Sequence, residues 1–513
     1  MTARVDDPAG TLDKRYERLV LDLHEKIGSP DMKQREDAWN IVMQLFNKNV
    51  DNLTLLNELA YAAFQFRWHG LAILATRAIL AKNPTLPDQW NNIGASFERE
   101  NMFEEAERAF RRSLEYGQED RVSVLANLAS SNNVRGTPEK AKRYAMKALK
   151  HNPNHLPAKL ALGHACLELE EWEEGWKNYE VRLDPSVEGG TKRRSYHKHF
   201  LTPLWKGRKN QTVVVHGEQA IGEEIMFAGC FEELRRDCKQ VILHPMPRLE
   251  GLYKRSFPWA IVHGGHEHEY EKIAWADRYR IDASLPIASL GKHYRNAASA
   301  FPRHNGYLVP DPVRVAHYAQ KLAALGARKK IGLAWQGGAP STQIEFRSMP
   351  VTNYEGVVQE DADFISLQYT KNGAEDSAQL GIHHWPQAVE GGKDHDLDEL
   401  AALIANLDLV ITVCQTAVHM AGALNIPCWV LVPDKPAWRY GIRGETSPWY
   451  PSVRMFRKKA ETGWELVTNK VRSALNSYLT DTANSTPCFM RTLPNTAMEG
   501  TVSPVPSASS ATI

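Results

Sequence analysis

An array of α-helical hairpins followed by a two-lobed α/β region built on parallel sheets, α + α/β overall, is the fold this sequence predicts. Three observations predict it. Small residues recur at a period of 34 or 35 between Ala72 and Gly175. Beyond about residue 210 the apolar pattern changes from a helical period to short β-branched runs. Those runs fall into two sets, separated by a less regular stretch near 300 to 328. At 513 residues the chain exceeds what one compact core accommodates, so several folding units are required.

The first element, residues 1–52, reads as a helical N-terminal cap. Within 10 to 47, Leu19, Leu21, Leu23, Ile27, Trp39, Ile41, Val42 and Leu45 recur amphipathically. Residues 53–184 hold about four repeats, because Ala72, Ala106, Ala141 and Gly175 are spaced by 34, 35 and 34, the tetratricopeptide (TPR) period. In the second unit Trp90, Ile93, Gly94, Phe97, Ala106 and Phe110 fall at consensus positions; in the fourth, Leu162, Gly163, Cys166, Gly175 and Tyr179 do so. Small residues let two helices cross closely and large ones fill the gap, so each hairpin buries its remaining face on the next. The first and third units fit less closely. Asn83-Pro84 and Asn152-Pro153 predict helix ends, since proline disfavours helical backbone at the residue before it. Residues 185–210, rich in Gly, Pro and basic side chains, read as a solvated linker, with a phosphate-contacting patch as the second reading.

The strand runs are TVVVH (212 to 216) and QVILH (240 to 244), then KIGLAW (330 to 335), DFISLQ (363 to 368), LDLVITV (407 to 413) and PCWVLV (427 to 432). Short apolar runs bounded by turns and helical stretches describe buried parallel strands. They predict two Rossmann-like lobes, residues 211–325 and 326–478, with a cleft between them. Residues 479–513 are rich in Ser, Thr, Pro and Ala and read as a disordered tail.

Lys plus Arg (62) nearly balance Asp plus Glu (61), so no global field points to nucleic acid or an anionic membrane. Only the linker from Lys192 to Lys198 is strongly basic. Six cysteines form no CxxC pair and fit buried thiols in a reducing compartment, hence a cytoplasmic expectation. The N-terminus lacks an apolar signal region, and the apolar stretch 400 to 433 is broken by Asn406, Asp408, Gln415 and His419, so neither secretion nor a membrane span is expected.

Three loops that follow strands could carry chemistry. The first runs from His216 through Gly222, Glu223 and Glu224 into a helix. One acid there could act as general base; the plain alternative is that both are helix-start acids favoured by the macrodipole. In the second, Cys414 to Leu424, amides around Gln415, Thr416 and Ala417 open a helix, a ready diphosphate site. His419 lies one turn further in, either reaching the same ligand or buried as a structural histidine. The third is Trp335-Gln336-Gly337-Gly338 followed by Arg347, whose fork suits phosphate oxygens. His263, His266, Glu267 and His268 cluster, but with no complementary ligand set they read as an exposed loop rather than a zinc site. No P-loop lysine motif, serine elbow or HExxH occurs.

At the first two loops the sequence resembles glycosyltransferases of the GT-B architecture, in particular the heptosyltransferase-like group (family 9) often found behind tetratricopeptide repeats. That resemblance covers residues 211 to about 475. It implies that Glu223, in Ile221-Gly222-Glu223, stands where the group has an aspartate base. To the donor contacts read from the residues at Gly222, Trp335, Gln336, Gly337, Gln415, Thr416 and Ala417, it adds Arg347, Gln368 and Tyr369 and supports His419. The group's Asp-Thr pair is replaced here by Cys414-Gln415. The domain order is similar to that of O-GlcNAc transferases, whose solenoid presents polypeptide to the cleft. No Asp-x-Asp pair ends a strand, Asp394-His395-Asp396 being a near miss in a loop, so neither metal nor other cofactor is expected beyond the nucleotide-sugar donor.

Two function classes stay open. One is a transferase moving sugar from a nucleotide donor to a hydroxyl, on a protein held by the repeats or on a polysaccharide or lipopolysaccharide glycan. The other is a TPR scaffold whose transferase domain has lost its chemistry, as the altered Asp-Thr positions would suggest.

Overall fold

The computed structural model describes residues 32–48, 52–187, 202–218, 220–265, 275–337, 344–390 and 397–481. Leu19 to Ile27 of the cap, Lys192 to Lys198 of the linker, Gln219, His266 to His268, Gly338, Asp394 to Asp396 and the tail beyond 481 lie outside the described residues. By internal contacts the chain forms two compact units, Met1–Arg194 with Lys435–Ile442, and Ser195–Asp434 with Arg443–Ile513.

The first unit is helical. Helix Met32–Lys48 buries Ala38 and Val42 against Leu55, Leu59 and Leu71. Four hairpins follow, pairing Leu53–Gln65 with His69–Lys82, Pro87–Arg99 with Phe103–Glu115, Arg121–Val134 with Pro138–His151, and Leu156–Glu168 with Trp172–Tyr179. The crossings need the small residues read from the sequence. A Cβ on Gly94 would lie 2.7 Å from the Phe110 ring, and one on Gly163 would lie 2.6 Å from the Tyr179 amide nitrogen. The turn inside each hairpin uses one left-handed residue: Arg67 (φ 67°), Asn101 (φ 60°), Gly136 (φ 78°) and Glu170 (φ 61°). These recur with the repeat period although only one is glycine, so repeat geometry overrides the local preference. Asn83 and Asn152 end their helices in extended conformation, as the following prolines require.

Residues Lys435–Ile442 fall within the stretch that the sequence assigns to the C-terminal lobe. They cluster with the helical unit. Trp438 meets Trp176 edge to face with ring centroids 5.5 Å apart, and Lys435 Nζ lies 4.4 Å from the Phe103 ring centroid. Nothing periodic in PAWRYG announces this, because the partners lie hundreds of positions earlier.

The second unit holds two parallel sheets. The first has β1 (Thr212–His216), β2 (Gln240–His244), β3 (Ile261–Val262) and β4 (Ala283–Pro286) in the order β3-β2-β1-β4. The second has β5 (Lys330–Ala334), β6 (Asp363–Ser366), β7 (Leu409–Val413), β8 (Cys428–Val432) and β9 (Val453–Arg457) in the order β6-β5-β7-β8-β9. Every ladder is parallel. The six strand runs read from the sequence are all strands. The three it lacked are short or mixed: β3 has two residues, β4 ends in proline, and β9 carries two arginines. The fold is thus a helical-repeat array followed by two Rossmann-like lobes.

Strand order reverses beside β1 in the first sheet and between β5 and β7 in the second, and crevices at such switch points receive ligands. The three candidate loops follow β1, β5 and β7. Arg255 ion-pairs with Asp398 across the lobes, and Tyr307 and Leu308 donate their amides to Ala423 O at 2.8 and 3.2 Å. Among the described residues no helix is long and apolar enough to cross a membrane.

Candidate functional site

After β1, Ala220 in extended backbone leads into helix Ile221–Ala228. Glu223, at its third position, reaches back so that Oε2 accepts the Ala220 N–H at 3.3 Å. That contact caps the helix, and the macrodipole favours the charge. Its neighbour Glu224 points the other way, into the lobe, where it is fully buried and accepts the Met246 N–H at 3.1 Å. Of the two acids left open by the sequence, Glu224 therefore braces the loop after β2, and Glu223 stays at the helix mouth.

After β7, Gln415 caps helix Thr416–Ala423, whose first amides lack carbonyl partners within the helix. The Gln415 side chain is held by Thr412, Nε2 to Oγ1 at 3.2 Å. Cys414 is buried with its thiol toward Leu431 O, on the sheet side of the strand end. Ala417 and His419 are buried, whereas Thr416 is half-buried. Burial, and then the Arg347 charge, push the His419 ring pKa down to about 3, so the ring is neutral near pH 7. A neutral ring can orient a ligand but adds no cation to a phosphate site.

After β5, the Trp335 and Gln368 side chains are committed within the lobe. Gln368 Oε1 accepts from the Trp335 and Gln336 amides, each at 3.0 Å, and its Nε2 donates to Gln336 O at 3.0 Å. The Trp335 indole donates to Asp376 at 2.8 Å. These bonds fix the backbone that carries Gly337. A Cβ on Gly337 would lie 2.5 Å from Gln415 Cβ, so the third loop packs directly on the second. Arg347 ends helix Ile344–Arg347, half-buried and near enough to His419 to depress its pKa.

The two lobes meet at the first two loops. A Cβ on Gly222 would lie 2.7 Å from His419 Cδ2, which puts one helix mouth against the other. Beside this contact opens a cavity of about 140 Å³ lined by Ile221, Arg248, Leu367, Tyr369, Ala388, Val389, Leu397, Leu400, Gln415 and Thr416; Glu223, Arg347 and His419 are not among its lining residues. Arg248 was missing from the sequence-derived set: it sits in a loop after β2 with no motif around it, and only the fold turns it toward the cavity. His263, from the histidine cluster, stacks on Trp275 with centroids 4.5 Å apart and has Nε2 3.2 Å from Tyr279 Oη.

No family model matches the chain. The chain is similar to Protein FlbA of Caulobacter vibrioides. They share 28% identity over 465 residues, spanning 83% of this chain and 73% of that one. Among solved structures, the E. coli ADP-heptose lps heptosyltransferase II aligns at 15% identity over 52% of this chain and 98% of its own, with a TM-score of 0.39. A Thermobaculum terrenum O-GlcNAc transferase mutant aligns at 11% identity over 84% of this chain and 90% of its own, with a TM-score of 0.31. At those scores the fold stands on the chain's own topology rather than on either likeness.

Gly222→Ala tests the meeting of the lobes. Alanine in a helix is ordinarily favoured over glycine by about 1 kcal/mol. Here the added methyl would stand 2.7 Å from Cδ2 of the buried His419 ring, and overpacking of that kind costs about 1–3 kcal/mol. A lowered melting temperature is the expected result; a raised one would mean that the lobes do not touch at this point.

Proposed function

We propose that this chain is a metal-independent glycosyltransferase that moves a sugar from a nucleotide-sugar donor to a hydroxyl acceptor. The observation that carries the reading is the juxtaposition of two helix mouths, one per lobe, at Gly222 and His419, with an acid on one side and phosphate-type donors on the other. Glu223 takes the proton of the acceptor hydroxyl as the new bond forms at the sugar carbon. The bond from that carbon to the diphosphate oxygen breaks, and the charge passes to the leaving group. The amides opening helix Thr416–Ala423, together with Arg347, receive it; preorganised donors of this type supply charge stabilisation without a metal. Gly222, Gln336, Gly337, Tyr369, Gln415, Thr416 and Ala417 shape the donor pocket, with the Trp335 and Gln368 side chains holding its floor. A protein held by the repeats, in the cytoplasm, is the acceptor we favour, ahead of a polysaccharide or lipopolysaccharide.

One observation favours a second reading, a TPR scaffold with an inactive domain: Cys414 turns its thiol to the sheet and Gln415 gives its amide to Thr412, so neither replaces the acid or hydroxyl of the resembling group. The experiment that separates the readings measures binding and nucleotide release with UDP-, GDP-, ADP- and dTDP-sugars. Under the transferase reading one donor is turned over, and Arg347→Ala weakens the matching nucleoside diphosphate by about 10- to 100-fold, the worth of a charged hydrogen bond. Donor binding without release, with or without added acceptor protein, favours the scaffold. No binding at all sinks both uses of the cleft.

A further inference from the structure

Tyr450 lies in the connection between β8 and β9, outside every loop of the site, and no motif marks it. It is buried, and its hydroxyl stands 3.0 Å from His419 Nδ1. Its ring occupies a notch on helix Thr416–Ala423 that exists because residue 422 is glycine: a Cβ there would lie 2.3 Å from Tyr450 Cγ. Gly422 and His419 are three residues apart on one helix face, so the same ring touches both.

The adjoining residue anchors the segment to the other lobe. Trp449 meets Phe227 of helix Ile221–Ala228 edge to face at 5.4 Å and Phe301 at 5.0 Å, while its carbonyl is 3.1 Å from His304 Nε2. Tyr307, whose hydroxyl interacts with that of Tyr450, donates to Ile225 O of the same helix at 2.7 Å. Tyr450 therefore packs directly on helix Thr416–Ala423 and is linked to helix Ile221–Ala228 through Tyr307 and Trp449. On the opposite edge of the His419 ring, Cδ2 and Nε2 lie against Gly222. A neutral imidazole carries one proton on one of two nitrogens, and the partner of one nitrogen decides what the other presents.

We infer that Tyr450 is a positioning residue of this cleft: its hydroxyl, through Nδ1, sets the plane of His419 and the nitrogen that carries its proton, and so what Nε2 offers beside Gly222. For turnover the inference rests on the transferase reading; for the state of the ring it does not.

The test uses the full chain labelled with 15N-histidine, with the His419 ring signals identified by their loss in His419→Gln. In the wild type these signals report a single neutral tautomer that does not titrate between about pH 5 and pH 8. Tyr450→Phe removes only the hydroxyl, and both ring-nitrogen signals move toward the average of two tautomers. Unchanged signals overturn the inference. Should Tyr450→Phe fail to fold, as judged by its thermal melt, Gly422→Ala displaces the same ring and is expected to shift the same signals, with no shift again overturning it. With a donor identified, Tyr450→Phe lowers kcat about tenfold, the order seen when an orienting partner is removed, and leaves KM within about twofold. An unaltered kcat overturns the consequence for turnover. If the wild type turns over no nucleotide sugar, the transferase reading fails while the ring signals still decide the role of Tyr450.

Discussion

Glu223→Gln is expected to lower turnover by about 100- to 10,000-fold, the range for loss of a general base, while nucleotide-sugar binding stays within about twofold of wild type. Glutamine is the informative replacement. Its amide oxygen can still accept the Ala220 N–H that Glu223 accepts at 3.3 Å, so the helix cap survives and only proton transfer is lost. Alanine would confound the two, because removing a cap contact by itself costs about 0.5–2 kcal/mol. Glu224→Gln supplies the contrast. That carboxylate is fully buried on the Met246 amide, so its replacement is expected to change the melting temperature more than the rate. Should Glu223→Gln retain full activity while Glu224→Gln abolishes it, the base has been placed on the wrong carboxylate.

The second large effect is on stability. Trp438→Ala is expected to destabilise the helical unit by about 3–5 kcal/mol, the usual cost of truncating a buried large aromatic. Trp438 is 9% exposed and packs edge to face on Trp176, which is itself 1% exposed, with Tyr179 6.2 Å away. Removing the indole opens the end of the last hairpin. Hydrogen exchange in Leu156–Glu168 and Trp172–Tyr179 reads the outcome directly: these helices lose protection while β1 to β9 keep theirs. Unchanged exchange in both helices would show that Lys435–Ile442 contributes nothing to the repeat core.

Both predictions concern residues whose visibility in the sequence differed greatly. Ile221-Gly222-Glu223 stood out because it follows an apolar strand run and begins a helix, and the resemblance to family 9 glycosyltransferases singled out the first glutamate. Trp438 stood out in no way. Its neighbours in sequence are a turn-rich stretch, and its packing partners belong to the fourth repeat. The same contrast divides the candidate site. Gln368 was read as a ligand contact because it ends a strand, yet the fold gives its amide to the Trp335-Gln336 backbone. His419 was open between ligand and structural roles. Its bond to Tyr450 on one edge and its place against Gly222 on the other give the ring structural partners that the sequence did not announce.

The sequence by itself determined the architecture: a 34-residue period for the hairpins, six apolar runs for the main strands, and three glycine- or helix-starting loops at their ends. These features are local, since helix and strand periods and turn chemistry act between residues a few positions apart. Only the tertiary structure decided that Glu223 bonds back to Ala220 while Glu224 braces Met246, that Arg248 lines the cavity and Tyr450 meets His419, that burial and then Arg347 leave His419 neutral, and that Lys435–Ile442 clusters with the repeats. Apart from the Glu223 cap, each of those depends on contacts between segments tens to hundreds of residues apart. Such contacts are set by how the completed elements pack, and no pattern within a single segment records them.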